Sequence, residues 1–424
     1  MRICFISRRY FPAISGMSVY AQNLLGELVD AGHRVTMISQ YRNDCAGAGI
    51  YGGGPPPPVA GVEVIGLESL GEQRVGFGEP ADFEADLQAM VAAALEAHRR
   101  QPFDIVHAQY GYPNGLAALE VSRQLGIPNV VSIQGGDGHW VGTCCQTHKA
   151  AMLAVLNHAG ALLIGSRSFA EEVHGHHGVA VERFTIVPGA TATKRFYPLE
   201  DRPLGAAQSV PVLLYHGRVD WRKGVGELLG AMALLRDRGR AVKLLVSGIG
   251  PDVDGAVALT AELALGDRVE FTGYADYAKA PDVYRRGDIF VSPTYSEGFS
   301  NTILEAMASG LPVVSTDTVG VVDCLRQGEN GLLVAVRDVE GLAAAVEHLL
   351  DDGELRQRLA AAALDEVETR YSWRAVGALI QDIYGQLAGT TPDNRWWQVY
   401  GDLANMSRED ADLSCRFRRD PHLL

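Results

Sequence analysis

Two glutamates, Glu297 and Glu305, stand eight positions apart in S-E-G-F-S-N-T-I-L-E-A-M-A-S-G, residues 296 to 310. The first lies in a Ser/Gly-rich lead-in. The second falls inside an apolar helical pattern, Ile303, Leu304, Met307 and Ala308, closed by Gly310. A helix starting near Asn301 leaves the N–H groups of its first turn unpaired; with the positive end of the dipole they suit an anion such as phosphate. Carboxylates accept hydrogen bonds from hydroxyls. A phosphate seated between the two glutamates leaves one carboxylate near each end of a larger ligand, and a nucleoside diphosphate sugar has that form. Taken alone, the pair could equally complement the helix dipole, worth ~0.3–1 kcal/mol per charge.

Cations to match stand upstream in Y-H-G-R-V-D-W-R-K-G, residues 215 to 224. Gly217 lets the chain turn closely after an apolar run at 211–215. Arg218 and Lys223 then lie at the carboxyl end of that strand, where they can neutralise two phosphate charges. Neither stretch is specific by itself; together and in this order they are.

The elements that must position these residues follow a repeating scheme. Strand-like runs at Ile3–Ser7, Arg34–Ser39, Ile105–Ala108, Val130–Ile133 and Leu162–Ile164 alternate with helical patterns, and the scheme restarts at Pro211–Tyr215. This predicts an α/β protein of two Rossmann-like, doubly wound domains facing across a cleft. Their expected extents are 1–193 and 194–371, with 372–424 returning to the first domain because Trp396, Trp397 and Tyr400 call for burial. Residues 188 to 203 hold three prolines and no amphipathic period, the pattern of a linker. The run Y-G-G-G-P-P-P-P, 51 to 58, reads as a surface loop.

Here the chain resembles the retaining glycosyltransferases of family 4, which have the GT-B fold. The likeness covers most of residues 1 to about 385 and is densest over E-G-F-S-N-T-I-L-E, the A-S-G-L-P-V-V-S-T that follows, and G-E-N-G-L-L-V at 328–334. The resemblance implies that Glu297 holds sugar hydroxyls and Glu305 the ribose hydroxyls. It places the amides of Gly298, Phe299 and Ser300 along the sugar and those of Asn301 and Thr302 on the phosphate. Arg218 and Lys223 match the family's diphosphate-binding pair, and Tyr274 falls where the base is contacted through the backbone. Catalysis would then rest on Glu297, Arg218 and Lys223.

In the first domain the family's glycine-rich loop is represented by Y-F-P-A-I-S-G, with Ser15 before Gly16, so Gly16 alone is carried over as a phosphate-side contact. Arg8 and Arg9 flank it. Where the family reads His-Gly-x-Asp, this chain has Q-G-G-D, placing Gln134 and Asp137 on the sugar or acceptor side together with Tyr110. Gln134 cannot titrate but can hydrogen-bond a hydroxyl. A third departure is V-P-G-A-T at 187–191 in place of Pro-Asn-Gly-Val-Asp.

Composition bounds the alternatives. A net charge of −14 over 424 residues argues against a nucleic-acid partner. No apolar run is long enough to span a bilayer, and M-R-I-C-F-I-S reads as a buried strand instead of a signal, so the expectation is a cytoplasmic protein. Peripheral membrane contact and a homodimer are both compatible with the sequence. The six cysteines have no metal-site spacing and read as reduced thiols. Asp252-Val-Asp254 and Asp410-Ala-Asp412 read as solvated turns, and the trio His174, His176, His177 has glycines around it and no cysteine or carboxylate partner in metal-like register, so neither a metal nor any other cofactor is expected beyond the donor as co-substrate. The expected partners are a nucleotide-sugar donor, UDP- or GDP-linked, and a soluble small-molecule acceptor, with a lipid-linked or polysaccharide acceptor as the alternative. Gly248-Ile-Gly250-Pro is the nearest approach to a nicotinamide fingerprint and stops at the second glycine. A non-catalytic nucleotide-sugar-binding protein is the other rival.

Overall fold

The computed structural model of the chain describes residues 1–43, 52–69, 71, 81–143, 145–200 and 202–400. Cys45, Cys144, Cys415, Tyr51, Asp410, Asp412, Arg418 and Arg419 lie outside the described residues. Two compact units divide the chain: Met1–Pro188 together with the chain from Gly377 on, and Gly189–Val376.

The first unit is built on β1 (Arg2–Ser7), β2 (Arg34–Tyr41), β3 (Val62–Glu68), β4 (Ile105–Gln109), β5 (Asn129–Ile133), β6 (Ala161–Ile164) and β7 (Phe184–Ile186). They form a seven-stranded sheet in the order β3-β2-β1-β4-β5-β6-β7, every neighbouring pair parallel. Ile3, Cys4, Phe5 and Ile6 are all fully buried. Such a continuous apolar run is what a strand covered on both faces requires. The order reverses between β1 and β4, so their carboxyl ends, Ser7 and Gln109, flank the crevice where open α/β sheets take ligands. Trp396, 1% exposed, sits in the helix Arg395–Tyr400 against the helix Gln146–His158. Beside it the Arg123 guanidinium lies 3.9 Å from the Trp397 ring centre.

His107 on β4 ties the C-terminal helix Trp373–Leu387 to this sheet: its Nδ1 lies 2.6 Å from the Tyr384 hydroxyl and its Nε2 2.7 Å from Ser132 Oγ. Burial holds its pKa down to about 3, against an ordinary 6.5. Below pH 6.5 the unfolded chain takes up a proton here that the folded chain refuses. This contribution to stability is therefore complete above pH 6.5 and declines as pH falls toward 3, by up to about 1.4 kcal/mol per pH unit. Urea midpoints of the wild type and His107→Gln should converge as pH is lowered from 7 to 5; a constant gap would contradict the linkage.

The second unit holds β8 (Val212–His216), β9 (Lys243–Ser247), β10 (Val269–Gly273), β11 (Ile289–Ser292), β12 (Val313–Thr316) and β13 (Leu332–Val334), parallel throughout in the order β10-β9-β8-β11-β12-β13. One apolar core around Leu228, Met232 and Leu342 covers one face, and another around Ile303, Leu304, Met307 and Tyr371 covers the other. The proline-rich stretch expected to be a linker is folded into this unit. Phe196 is 1% exposed inside the second core, and the Thr191 N–H donates to the Tyr371 carbonyl at 2.8 Å. A buried aromatic ring outweighs the irregular backbone that the prolines impose. The order reverses between β8 and β11, which places the Arg218 turn and the Glu297 turn side by side.

Candidate functional site

Three loops converge at the carboxyl ends of β8, β9 and β11 in the second unit. After β8 the chain turns through Gly217, and Asp220 caps a single helical turn, Trp221–Lys223, its side chain accepting from the Arg222 N–H. Gly224 ends that turn at φ 75, and a Cβ there would strike the Pro293 carbonyl, so only glycine lets the cation turn lie against the end of β11. The Tyr295 N–H donates to the Arg222 carbonyl at 2.9 Å, zipping the two loops together. Their side chains meet as well: Lys223 Nζ donates to Glu297 Oε1 at 2.7 Å, with both groups about a fifth to a quarter exposed. Glu297 is held by its own N–H, which donates to the Val319 carbonyl at 3.0 Å.

The helix Asn301–Ala308 begins directly after this turn. Ser300 occupies its N-cap position yet makes no side-chain cap bond, so the first-turn amides are not claimed from within by their cap residue. Asn301 Oδ1 is buried with no hydrogen-bond partner among the described residues. Phe299 packs its ring 5.6 Å from Tyr371, Gly298 and Ser300 complete the turn, and Thr302 lies in the first turn of the helix.

Glu305, one turn further, is 7% exposed and accepts from the Tyr284 hydroxyl at 2.7 Å. Tyr284 is itself fully buried, wedged among Phe196, Phe290 and His216 with ring centres 5.2–5.7 Å away. Burial raises the Glu305 carboxyl to about 7, against the lowering pull of the Tyr284 bond and of Arg195. The sign is opposite to that of His107: the folded state holds this proton more tightly than the unfolded chain, so the group destabilises the fold as pH rises from 4.5 to 7. Tyr284 was not singled out in the sequence. Its only signal is a tyrosine five residues ahead of a buried strand.

Arg218 is about a quarter exposed, and its Nη2 lies 2.9 Å from Asp220 Oδ2. Its backbone carbonyl accepts from the Tyr215 hydroxyl at 2.6 Å. Gly248 and Gly250 have a packing role: a Cβ on either would collide with the carbonyl of Gly217 or of Val219, so the glycines that partly mimic a nicotinamide fingerprint serve to seat the Arg218 loop. Tyr274 follows β10 and is 43% exposed. Asp252 accepts from the Trp221 N–H at 2.9 Å and so braces the cation turn.

Within the first unit, the residues given to the sugar or acceptor gather where β1, β4 and β5 end. Asp137 is fully buried and accepts from the N–H groups of Gly111, Gln134 and Gly135 at 2.7–3.1 Å, so it clamps the loop that carries Gln134. Tyr110 is 2% exposed at φ 92, with its ring 5.4 Å from the buried Arg8 guanidinium; its hydroxyl has no hydrogen-bond partner among the described residues. Gly16 opens the helix Gly16–Asp30, and the Ser15 hydroxyl caps it by accepting from the Ser18 N–H at 3.2 Å. The serine that replaces a family glycine thus supplies a cap.

The amide of Gln134 has one orientation. Gln109 faces the Met17 carbonyl at 2.9 Å, and a carbonyl can only accept, so that end of Gln109 is its NH2 group. The same NH2 lies 2.9 Å from Gln134, whose oxygen must therefore point at Gln109. Gln134 presents its own N–H groups elsewhere, and one neighbour they meet is the Tyr20 hydroxyl.

His174 and His176 bond the backbone carbonyls of Val179 and Gly138 through Nδ1, and among the described residues no three His, Cys, Asp or Glu side chains group as a metal site. No described helix is long and apolar enough to cross a membrane.

Comparison with known proteins agrees with this geometry. Residues 15–190 match the family model of the glycosyl transferase 4-like domain, and residues 198–365 that of the glycosyl transferases group 1. The glycogen synthase of Mycobacterium tuberculosis is 27% identical over 91% of this chain and 94% of its own length. The D-inositol 3-phosphate glycosyltransferase of Stackebrandtia nassauensis is also 27% identical, over 87% of this chain and 86% of its own. In fold, the sucrose-phosphate synthase of Thermosynechococcus elongatus superposes with a TM-score of 0.75 at 24% identity, covering 91% of this chain and 98% of that one. With two doubly wound units, a glutamate pair astride a helix N-terminus and family matches over both halves, the chain belongs to the GT4-type glycosyltransferases of GT-B fold.

Proposed function

We propose that the second unit binds a nucleoside diphosphate sugar, UDP- or GDP-linked, and that the enzyme transfers the sugar with retention to a soluble small-molecule acceptor in the cytoplasm. The observation that carries this reading is the 2.7 Å contact of Lys223 with Glu297 at the mouth of an uncapped helix N-terminus. It gathers a phosphate cation, a hydroxyl acceptor and helix amides that their cap residue does not claim at one end of one sheet.

In this reading Glu305 takes the ribose hydroxyls, the amides of Asn301 and Thr302 take phosphate oxygens, and Arg218 and Lys223 face the diphosphate. The bond from the anomeric carbon to phosphate oxygen breaks with its electron pair leaving on the nucleoside diphosphate. The acceptor oxygen bonds the same face of that carbon, and the acceptor proton passes to the departing phosphate oxygen. Negative charge builds on the leaving group, so donors aimed at it stabilise the transition state more than the ground state, by about 3–4 kcal/mol for a well-placed one. The two cations and the helix amides supply this neutralisation without a metal.

Incubation with UDP- and GDP-sugars should give slow release of one nucleoside diphosphate and donor-dependent thermal stabilisation, and the anomeric coupling constant of the product reports retention. Absence of both release and stabilisation would sink the donor assignment. Because Glu305 protonates near pH 7 and a protonated carboxyl loses acceptor capacity, donor affinity should fall as pH drops from 8 to 6, approaching tenfold per unit at its steepest. Glu305→Gln should bind weakly and lose that pH dependence; a pH profile unchanged in the variant would remove Glu305 from the ribose site.

A further inference from the structure

We propose that Asp220 is a positioning residue that aims both diphosphate-binding cations, Arg218 directly and Lys223 through the turn it caps. The inference rests on the donor-site reading above and adds a residue to it. Asp220 is 4% exposed, and its carboxylate is surrounded by donors. Oδ1 accepts from the Arg222 N–H at 2.9 Å and from Arg222 Nε at 3.0 Å; Oδ2 accepts from Arg222 Nη2 at 2.7 Å and lies 2.9 Å from Arg218 Nη2. The Asp220 carbonyl accepts from the Lys223 N–H at 2.8 Å, so the same residue fixes the start of the turn from which Lys223 reaches Glu297.

A negative charge this close to a diphosphate site is unfavourable for the ligand unless it does something else. Removing it would raise the positive field and favour ground-state binding of a dianion. What it gives in return is order: an arginine stem is flexible, and a guanidinium held at one edge keeps its remaining N–H groups pointed in one direction. Arg218 is fixed at three places, through Nη2 by Asp220, through its carbonyl by Tyr215, and through its loop by the close-packed Gly248 and Gly250. Preorganised donors are the ones that stabilise charge developing in a transition state. The carboxylate remains ionised at working pH, because the Arg222 hydrogen bonds and the Arg218 charge overcome the raising effect of burial and hold it to about 2. Nothing in the sequence marks Asp220: in V-D-W-R-K it reads as one more surface charge among arginines.

A double-mutant cycle tests this. Asp220→Asn keeps the volume and the capping ability of the residue while deleting its charge. In the otherwise wild-type enzyme it should lower kcat about tenfold with the donor KM unchanged or lower; in an Arg218→Ala background the same change should alter kcat less than about twofold. Equal losses in the two backgrounds would mean that the Asp220 charge does not act by aiming Arg218, and would overturn the proposal while leaving the donor site intact. An unchanged kcat in Asp220→Asn would overturn it equally. Should Arg218→Ala by itself leave turnover untouched, Arg218 is not a diphosphate contact and this inference falls, while the Lys223–Glu297 part of the donor-site reading is tested separately by Lys223→Ala.

Discussion

Arg218→Ala, and separately Lys223→Ala, is expected to reduce kcat/KM for the donor by about 10²–10³-fold, the loss seen when one preorganised donor is removed from a developing anion. The two should differ in how the loss divides. Arg218 is pinned on one edge by Asp220 and cannot travel, so its benefit lies mainly in the transition state and its removal falls on kcat. Lys223 is bonded to Glu297 at 2.7 Å and must share or exchange that partner to meet a phosphate. Its removal should raise KM as well. Arg218→Lys should recover little, since an ammonium that bonds Asp220 on a flexible stem has no second planar nitrogen to keep aimed at the diphosphate. Steady-state kinetics with saturating acceptor measures both parameters; a loss below threefold in both alanine variants would place the diphosphate elsewhere.

Glu297→Ala should lower kcat by about 10²-fold while KM for the donor stays level or falls. The reason is the same ion pair. Deleting the carboxylate frees Lys223 from its resident anion and strengthens its pull on a diphosphate, yet removes the group that orients the sugar hydroxyls. Glu297→Gln retains hydrogen bonding without the charge and should lie between the two. Isothermal titration with the nucleoside diphosphate alone separates these effects, because it lacks the sugar: the Ala variant should bind it at least as tightly as the wild type. Tighter binding combined with unchanged turnover would show that Glu297 only restrains Lys223.

Which parts of this were legible in the sequence follows from burial. Strands covered on both faces, such as β8 and β11, announce themselves as short apolar runs, and the helix at 301–308 as a 3.6-residue pattern ending in glycine. β3 did not: in this edge strand, Val62-Glu-Val-Ile-Gly-Leu-Glu68, no residue is fully buried, and glutamates and a glycine interrupt the continuous apolar run that marks the covered strands. Phe196 was hidden by its prolines, and its burial came only from a core that closes across more than a hundred residues of chain. Within the site, the two glutamates and two cations were visible because their two stretches occur together and in order, cations after one strand and glutamates about one helix start, in segments that resemble a known family. Asp220, Tyr284 and the Val319 carbonyl were not, because their contribution is to aim another group. Such roles are set by three-dimensional neighbours and leave no spacing rule behind.

The amide relay from Met17 through Gln109 to Gln134 bears on what the enzyme can sense. An imidazole at that point would change from acceptor to donor as the surroundings acidify. A carboxamide whose direction is dictated by a main-chain oxygen keeps its N–H groups turned the same way from one acidity to another. Whatever variation with pH the first unit shows must therefore originate in other groups.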